Sequence, residues 1–165
     1  MKKPITFLAF IFCATFGLKA QVSQKATIVF VRTFNLIGSG IGYNVFTDST
    51  KLIRMRPQTF EVVEVNAKPT RFWAQTETKR HLDLDLRPNH IYFVEGHLTT
   101  GFFIGHPRLQ TLSVDEFRNL VSKSDYLQKQ LKKAGFETIH DFLRPYEVVN
   151  ISGIWTCACI NHKFC

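Results

Sequence analysis

Short segments rich in β-branched and aromatic residues recur between residues 26 and 112, and in some of them, most strictly 81–87, hydrophobic and polar side chains alternate with a period of two. This alternation, in segments rich in β-branched and aromatic residues, is typical of strands with one face in a core. Gly, Pro, Asn and Asp breaks recur at intervals of about ten residues, as in an antiparallel sandwich or small barrel. The pattern predicts eight strands, with 26–34 and 90–96 as the central pair: 26–34, 43–47, 51–55, 59–65, 72–77, 81–87, 90–96 and a last strand within 101–112.

The last of these strands is predicted to lie at a sheet edge, because Pro107 has no N–H to donate to a ladder. The pattern then changes to helical spacing. Ser113 and Glu116 form a capping-box signature, a second helix begins at Ser124 and ends near Gly135, and residues 139–143 suggest a short third helix. We therefore predict a mainly β protein, an antiparallel β-sandwich of about seven to eight strands with a C-terminal helical extension.

The N-terminus has the three parts of a secretory signal peptide: Lys2 and Lys3, an apolar run over 5–18, and the small residue Ala20. The apolar run is too short for a comfortable membrane span, which needs about 20 apolar residues. Phe-Ile-Phe precedes Cys13, so a lipid-attachment site is not expected. The sequence predicts cleavage near Ala20 and an extracytoplasmic protein, periplasmic or secreted, with no transmembrane span in its mature form.

The predicted domain organisation is a signal peptide at 1–20, a β-sandwich domain at 21–121 and a helical, cysteine-bearing extension at 122–165. Loss of residues 1–20 removes three lysines and no acidic residue, which lowers the net charge from +8 to +5. The remaining basic residues are scattered instead of clustered with aromatic residues, so no nucleic-acid partner is expected. Peripheral contact with an anionic surface, lipid or polysaccharide, stays open.

The strand predicted at 81–87 has the strictest alternation, with three leucines on one face and His81, Asp83, Asp85 and Arg87 on the other. Carboxylates and an imidazole on one face suit a metal or acid–base site, and a hydrolase built on them is one alternative. A solvated face explains every one of these residues, with Arg87 pairing with Asp85 or a neighbour. The solvated face is the preferred interpretation.

Two other patterns bear on catalytic or nucleotide-binding sites. The glycines of 38–42 precede a strand pattern and lack the Lys-Ser/Thr of a phosphate loop. His97 and His106 fall near Glu95 at strand ends, but no serine or cysteine is placed to act as a nucleophile with them. The sequence thus predicts a non-enzymatic protein without a cofactor.

The last nine residues contain Cys157, Cys159, His162 and Cys165. In an oxidising compartment, a disulfide from Cys165 to Cys157 or Cys159 is the preferred interpretation, and it leaves one thiol over. The same four residues could instead form a Cys₃His site for zinc or copper, although their spacing is tighter than in zinc fingers. A tail of free thiols is the third alternative.

Three segments resemble a bacterial envelope family, the domain of unknown function family 2846: the opening strand 26–32, the hairpin 43–55 with the following Arg-Pro-Gln-Thr-Phe, and the strand–turn–strand 84–94. The likeness covers about residues 25–121. It implies an extracytoplasmic β-sandwich, often lipid-anchored, and supplies no catalytic residues. This chain differs from that family in lacking a lipobox and in its cysteine-bearing tail.

The resulting functional hypothesis is an exported, non-enzymatic β-sandwich of the bacterial cell envelope that binds a protein or a glycan. The alternative is a metal-binding or thiol-redox protein that uses the C-terminal cysteines and histidine.

Overall fold

A computed structural model describes residues 24–36, 40–48 and 50–148. The predicted signal peptide and the cysteine-bearing end of the tail, with its disulfide and metal alternatives, lie outside the described residues. No helix in the described part of the chain combines the length and the apolar character needed to cross a bilayer.

The described residues form nine strands and three helices. In chain order these are β1 (Lys25–Arg32), β2 (Tyr43–Thr47), β3 (Thr50–Met55), β4 (Thr59–Asn66), β5 (Pro69–Gln75), β6 (Lys79–Asp85), β7 (His90–Thr99), β8 (His106–Leu112), α1 (Val114–Ser122), α2 (Asp125–Lys133), α3 (Ile139–Leu143) and the two-residue β9 (Glu147–Val148).

The strands form two sheets. The first has the order β4-β1-β7-β8, with β9 added beside β7, and the second has the order β3-β2-β5-β6. Most neighbouring strands are antiparallel, but β1 runs parallel to β7, with Val29 opposite Phe93. The predicted central pair is therefore confirmed as a pair, and its parallel direction is a feature that the sequence pattern did not indicate.

The two sheets pack face to face around an apolar core. Phe30 of β1 and Phe72 of β5 meet there edge to face, with ring centroids 6.0 Å apart, and both side chains are fully buried. Gly96 lets the sheets approach closely, because a Cβ atom at this position would lie 2.5 Å from the Met55 sulfur and the Tyr43 hydroxyl. This core corresponds to one face of the predicted alternation.

A second core lies on the other face of the first sheet, where the helices pack. Phe117 of α1 stacks on Phe93 of β7 with ring centroids 4.0 Å apart. Leu127 and Phe142, from α2 and α3, belong to the same cluster of buried side chains. The protein thus has three layers, and β1 is buried on both faces, which explains its almost continuous apolar sequence.

The prediction of a mainly β fold is confirmed. Each of the two mostly antiparallel sheets has four main strands, to which the first sheet adds the short β9, and a helical part follows β8. The capping box of Ser113 and Glu116 is present, and Ser124 caps the second helix. The boundary predicted at residue 121 falls within α1, and it stays a prediction.

Three stretches differ from their prediction. β5 ends at Gln75, so Thr76 and Glu77 lie in a turn instead of the strand predicted over 72–77, and β7 continues past Gly96 to Thr99. The third stretch is 101–104, which the pattern predicts as part of the eighth strand but which lies in the loop between β7 and β8. Gly105 has a φ of +98°, and a Cβ atom at Gly101 would lie 2.4 Å from the Gly105 Cα. The two glycines therefore bring the ends of the loop together in a conformation that a strand cannot adopt.

Strand directions place four connections at one end of the sandwich, which we call the loop end. It comprises the described residues of 33–42, 56–58, 76–78 and 100–105, at which β1, β3, β5 and β7 finish. Backbone and side-chain contacts between 76–78 and 100–105 join the two sheets here.

Candidate binding surface at the loop end

Exposed hydrophobic side chains are concentrated at the loop end. Six large hydrophobic residues are exposed among the described residues, and only Val62 lies on a strand away from this end. The other five are Phe34, Leu36, Phe102, Phe103 and Ile104. Since soluble proteins seldom gather exposed apolar side chains in one place without a use, the loop end is the leading candidate for a contact surface.

The loop between β7 and β8 carries the largest of these side chains. Phe102 and Phe103 are 87% and 84% exposed, and Ile104 is 46% exposed. The two rings meet edge to face with centroids 4.6 Å apart. We call Phe102, Phe103 and Ile104 the apolar tip.

The carboxylate of Glu77 holds the apolar tip in place. The backbone N–H groups of Phe103, Phe102 and Gly105 donate to it at 2.6, 3.1 and 3.2 Å, and the N–H of Ile104 also donates. Successive N–H groups that converge on one anion form a nest. These donors, that of Ile104 foremost, lower the pKa of Glu77 to about 2. The loop is thus fastened through its backbone, and its apolar side chains remain exposed.

Two hydroxyl groups fasten the same loop on either side of Glu77. Thr76 Oγ1 donates to the carbonyl of Gly105, and Thr78 Oγ1 lies 3.0 Å from Nδ1 of His106. The two hydroxyl groups of the turn 76–78 therefore fix the loop at the end where Gly105 joins β8. The apolar tip is a preformed feature of the surface.

The neighbouring β1–β2 loop is tied down by a buried arginine. Arg32 Nη1 donates to the carbonyl oxygens of Ile41 and Met55 at 2.7 and 3.3 Å, and the guanidinium lies 5.2 Å from the Tyr43 ring centroid. Burial lowers the pKa of Arg32 from its usual value. These contacts hold the Ile41 end of the loop and the end of β3 against the end of β1.

The loop end is also rich in positive charge. We count the described residues of the four loops together with the three strand residues on either side of each loop. In this set, the exposed basic residues outnumber the acidic residues, which are Glu61 and Glu77. The Glu77 carboxylate accepts hydrogen bonds from the loop amides. The exposed basic residues are Arg54, Arg56, Lys79, Arg80 and Arg108.

A depression of about 370 Å³ opens between β6 and β8 on one side of this end. Arg80 and Arg108 both line it, so two basic residues border the same depression. The remaining lining residues are His81, Thr99, Pro107 and Leu109.

His81, Asp83 and Asp85 are exposed on β6, in agreement with the solvated face that the sequence predicts. Asp83 pairs across the strands with Arg71, with contacts of 2.6 Å to Nε and 2.9 Å to Nη2. Within the described ranges, no group of three or more His, Cys, Asp or Glu side chains could hold a metal ion. Asp83 serves as a cross-strand ion-pair partner.

Of the two histidines predicted near Glu95, His97 lies close enough for the Glu95 charge to act on it, whereas His106 contacts Thr78. Glu95 accepts a hydrogen bond from Gln110 Nε2 at 2.9 Å. His97 is half-buried, and burial lowers its pKa. The contacts around His106 therefore serve to fasten the loop.

An aromatic pair on the outer face of the second sheet is a further candidate, as a platform for a sugar ring. Trp73 stacks on Phe46 with ring centroids 4.2 Å apart, and Lys79 Nζ lies 3.9 Å from the Trp73 centroid. Because β2 and β6 flank β5 on opposite sides, both faces of the indole are covered. This geometry suits a sheet-stabilising cluster more than a carbohydrate platform.

Sequence reasoning missed the apolar tip because its residues have high β propensity and were assigned to a strand. Two features pointed to a loop: glycines enclose the stretch on both sides, and no polar residue alternates with the three apolar ones. Nothing in the sequence pattern pointed to Glu77 as its anchor.

Comparison with known proteins adds no assignment: no family model matches the chain, and no curated protein matches it. The resemblance to the domain of unknown function family 2846 stays a prediction.

Proposed function

We propose that the protein is an exported, non-catalytic β-sandwich of the bacterial cell envelope that binds its partner through the loop end. The observation that carries this proposal is the apolar tip, exposed and yet fastened by Glu77. The cell-envelope location is supported by the predicted signal peptide.

The way the tip is held favours binding over a purely structural role. A loop that is already ordered loses little conformational entropy when a partner covers it, so more of the contact energy appears as affinity. Functional residues are also disproportionately found on loops that a rigid scaffold positions. Glu77, Thr76 and Thr78 provide that scaffold here.

Cell fractionation tests the proposal. We would export the full chain in a bacterial host and compare its retention in the washed envelope fraction with that of the Phe102→Ser/Phe103→Ser double variant. Covering one phenylalanine contributes about 1.5–3 kcal/mol, equivalent to about tenfold or more in affinity. We expect the double variant to move to the soluble fraction.

Val62→Ser is the matched control, because it removes an exposed apolar side chain from β4, away from the loop end. This variant should stay with the envelope as the wild type does. Equal retention of the wild type and the double variant would contradict the proposal, and so would turnover by the purified protein on a broad hydrolase panel.

A further inference from the structure

We infer that the partner of the loop end is an anionic lipid surface, with the apolar tip inserted at the bilayer interface and the surrounding basic residues against lipid phosphates. This inference rests on the proposed function and names the class of its partner.

The composition of the apolar surface fits a bilayer interface. Aromatic side chains are favoured where hydrocarbon meets headgroups, and the tip carries two phenylalanines side by side. Leu36 and Phe34 add exposed apolar side chains from a second loop at the same end. Lipid chains rearrange around side chains that protrude from separate loops, without needing a complementary pocket.

The charge of the same surface selects anionic lipid. A Cβ atom built at Gly42 would lie 3.2 Å from both Arg54 Nε and Arg56 Cγ, so these two side chains lie beside the β1–β2 loop. Two more basic residues, Arg80 of β6 and Arg108 of β8, line the depression between these two strands. Basic residues near an anionic leaflet each strengthen binding about fivefold.

The negative charge of Glu77 opposes binding to anionic headgroups less than an unpaired carboxylate would. An exposed carboxylate beside the apolar tip would repel them and would resist entering the interface. Here the carboxylate accepts hydrogen bonds from the loop backbone, so the loop amides offset its negative charge. The same contacts satisfy N–H groups that would otherwise enter a region poor in water.

Vesicle co-sedimentation tests the inference. The full chain, processed on export, is mixed with vesicles of phosphatidylcholine alone or with vesicles in which phosphatidylglycerol replaces part of it. We expect binding to the vesicles with phosphatidylglycerol, little to phosphatidylcholine alone, and weaker binding as salt rises. Phe102→Ser/Phe103→Ser should lower the affinity by at least about tenfold.

A second pair of variants tests the charge. Arg80→Glu/Arg108→Glu should lower the affinity for the anionic vesicles by at least about tenfold, because it replaces attraction by repulsion. Lys68→Glu makes the same kind of change at the opposite end of the sandwich, where Lys68 faces Asp48, and should leave binding unchanged. If the serine double variant does not fold, Leu36→Ser on the neighbouring loop replaces it.

The outcomes separate this inference from the proposed function. Equal binding to both kinds of vesicle, or an unchanged affinity in the arginine variants, would overturn the anionic-lipid inference. Absence of vesicle binding, with envelope retention that still requires Phe102 and Phe103, would overturn it and leave the proposed function intact with a protein or glycan partner. If retention is also independent of these residues, both fail.

Discussion

Replacing Leu127 by alanine tests whether the helices are an energetic part of the sandwich. Leu127 is fully buried in the cluster that α1, α2 and α3 form against the first sheet. Buried leucine-to-alanine changes cost about 2–5 kcal/mol, since both transfer free energy and cavity formation contribute. We expect the free energy of unfolding to fall by about 3 kcal/mol.

Urea unfolding followed by tryptophan fluorescence measures this change in the free energy of unfolding with a probe in the second sheet, which lies on the opposite side of the first sheet from the helices. In a Trp155→Phe background, Trp73 is the only tryptophan, and it lies on the outer face of the second sheet against Phe46. With a slope of about 2 kcal/mol per molar urea, the midpoint should fall by about 1.5 M. The transition seen by circular dichroism should coincide with it.

Lys129→Ala is the control, because Lys129 is an exposed residue of the same helix. Lysine and alanine both have high helix propensity, so the exchange should change little else. Its midpoint should stay within experimental error of the parent. The reasoning is refuted if Leu127→Ala leaves the Trp73 transition unchanged while a separate helical transition moves. The helices would then unfold independently, as the predicted boundary at residue 121 allows.

Three further predictions follow from single contacts. The pKa of Glu77 is lowered from 4.5 to about 2, so its anchoring effect is complete above about pH 4.5 and is lost as pH falls through about 2. The NMR chemical shifts of the amides of 102–105 should therefore titrate in this pH range. Glu77→Gln should abolish that titration. The buried Tyr43 hydroxyl has no hydrogen-bond partner within the described residues, so thermal unfolding should show Tyr43→Phe to be as stable as the wild type or more so. Gly96→Ala should destabilise by about 1–3 kcal/mol in urea unfolding, because the new methyl group would contact Met55 at 2.5 Å; a neutral result would contradict the close sheet packing.

The sequence predicted the local elements well because their signals are local. Alternation in 81–87 identified the exposed and buried faces of β6, and the Ser113–Glu116 pair identified the start of α1. Caps, turns and periodicity depend on neighbours in the chain, which one sequence contains in full.

The candidate site could not be predicted in the same way because it depends on contacts between distant segments. Glu77 meets the amides of 102–105 across more than twenty residues of sequence, and Arg32 reaches the carbonyl of Met55 in the other sheet. The parallel direction of β1 and β7 is likewise set by how the whole chain packs, not by either strand's own pattern.

The central claim is that residue 102 leaves water when the protein binds its partner surface. Phe102→Trp, in the Trp155→Phe background, places a reporter there. The spectra of envelope alone and of the Trp155→Phe parent with envelope are subtracted, because envelope proteins and Trp73 also emit. We predict that the emission shifts to shorter wavelength when washed envelope is added, and that Val62→Trp in the same background shows no shift. A position-102 spectrum that stays unchanged, or equal shifts at both positions, would contradict a binding surface at the loop end.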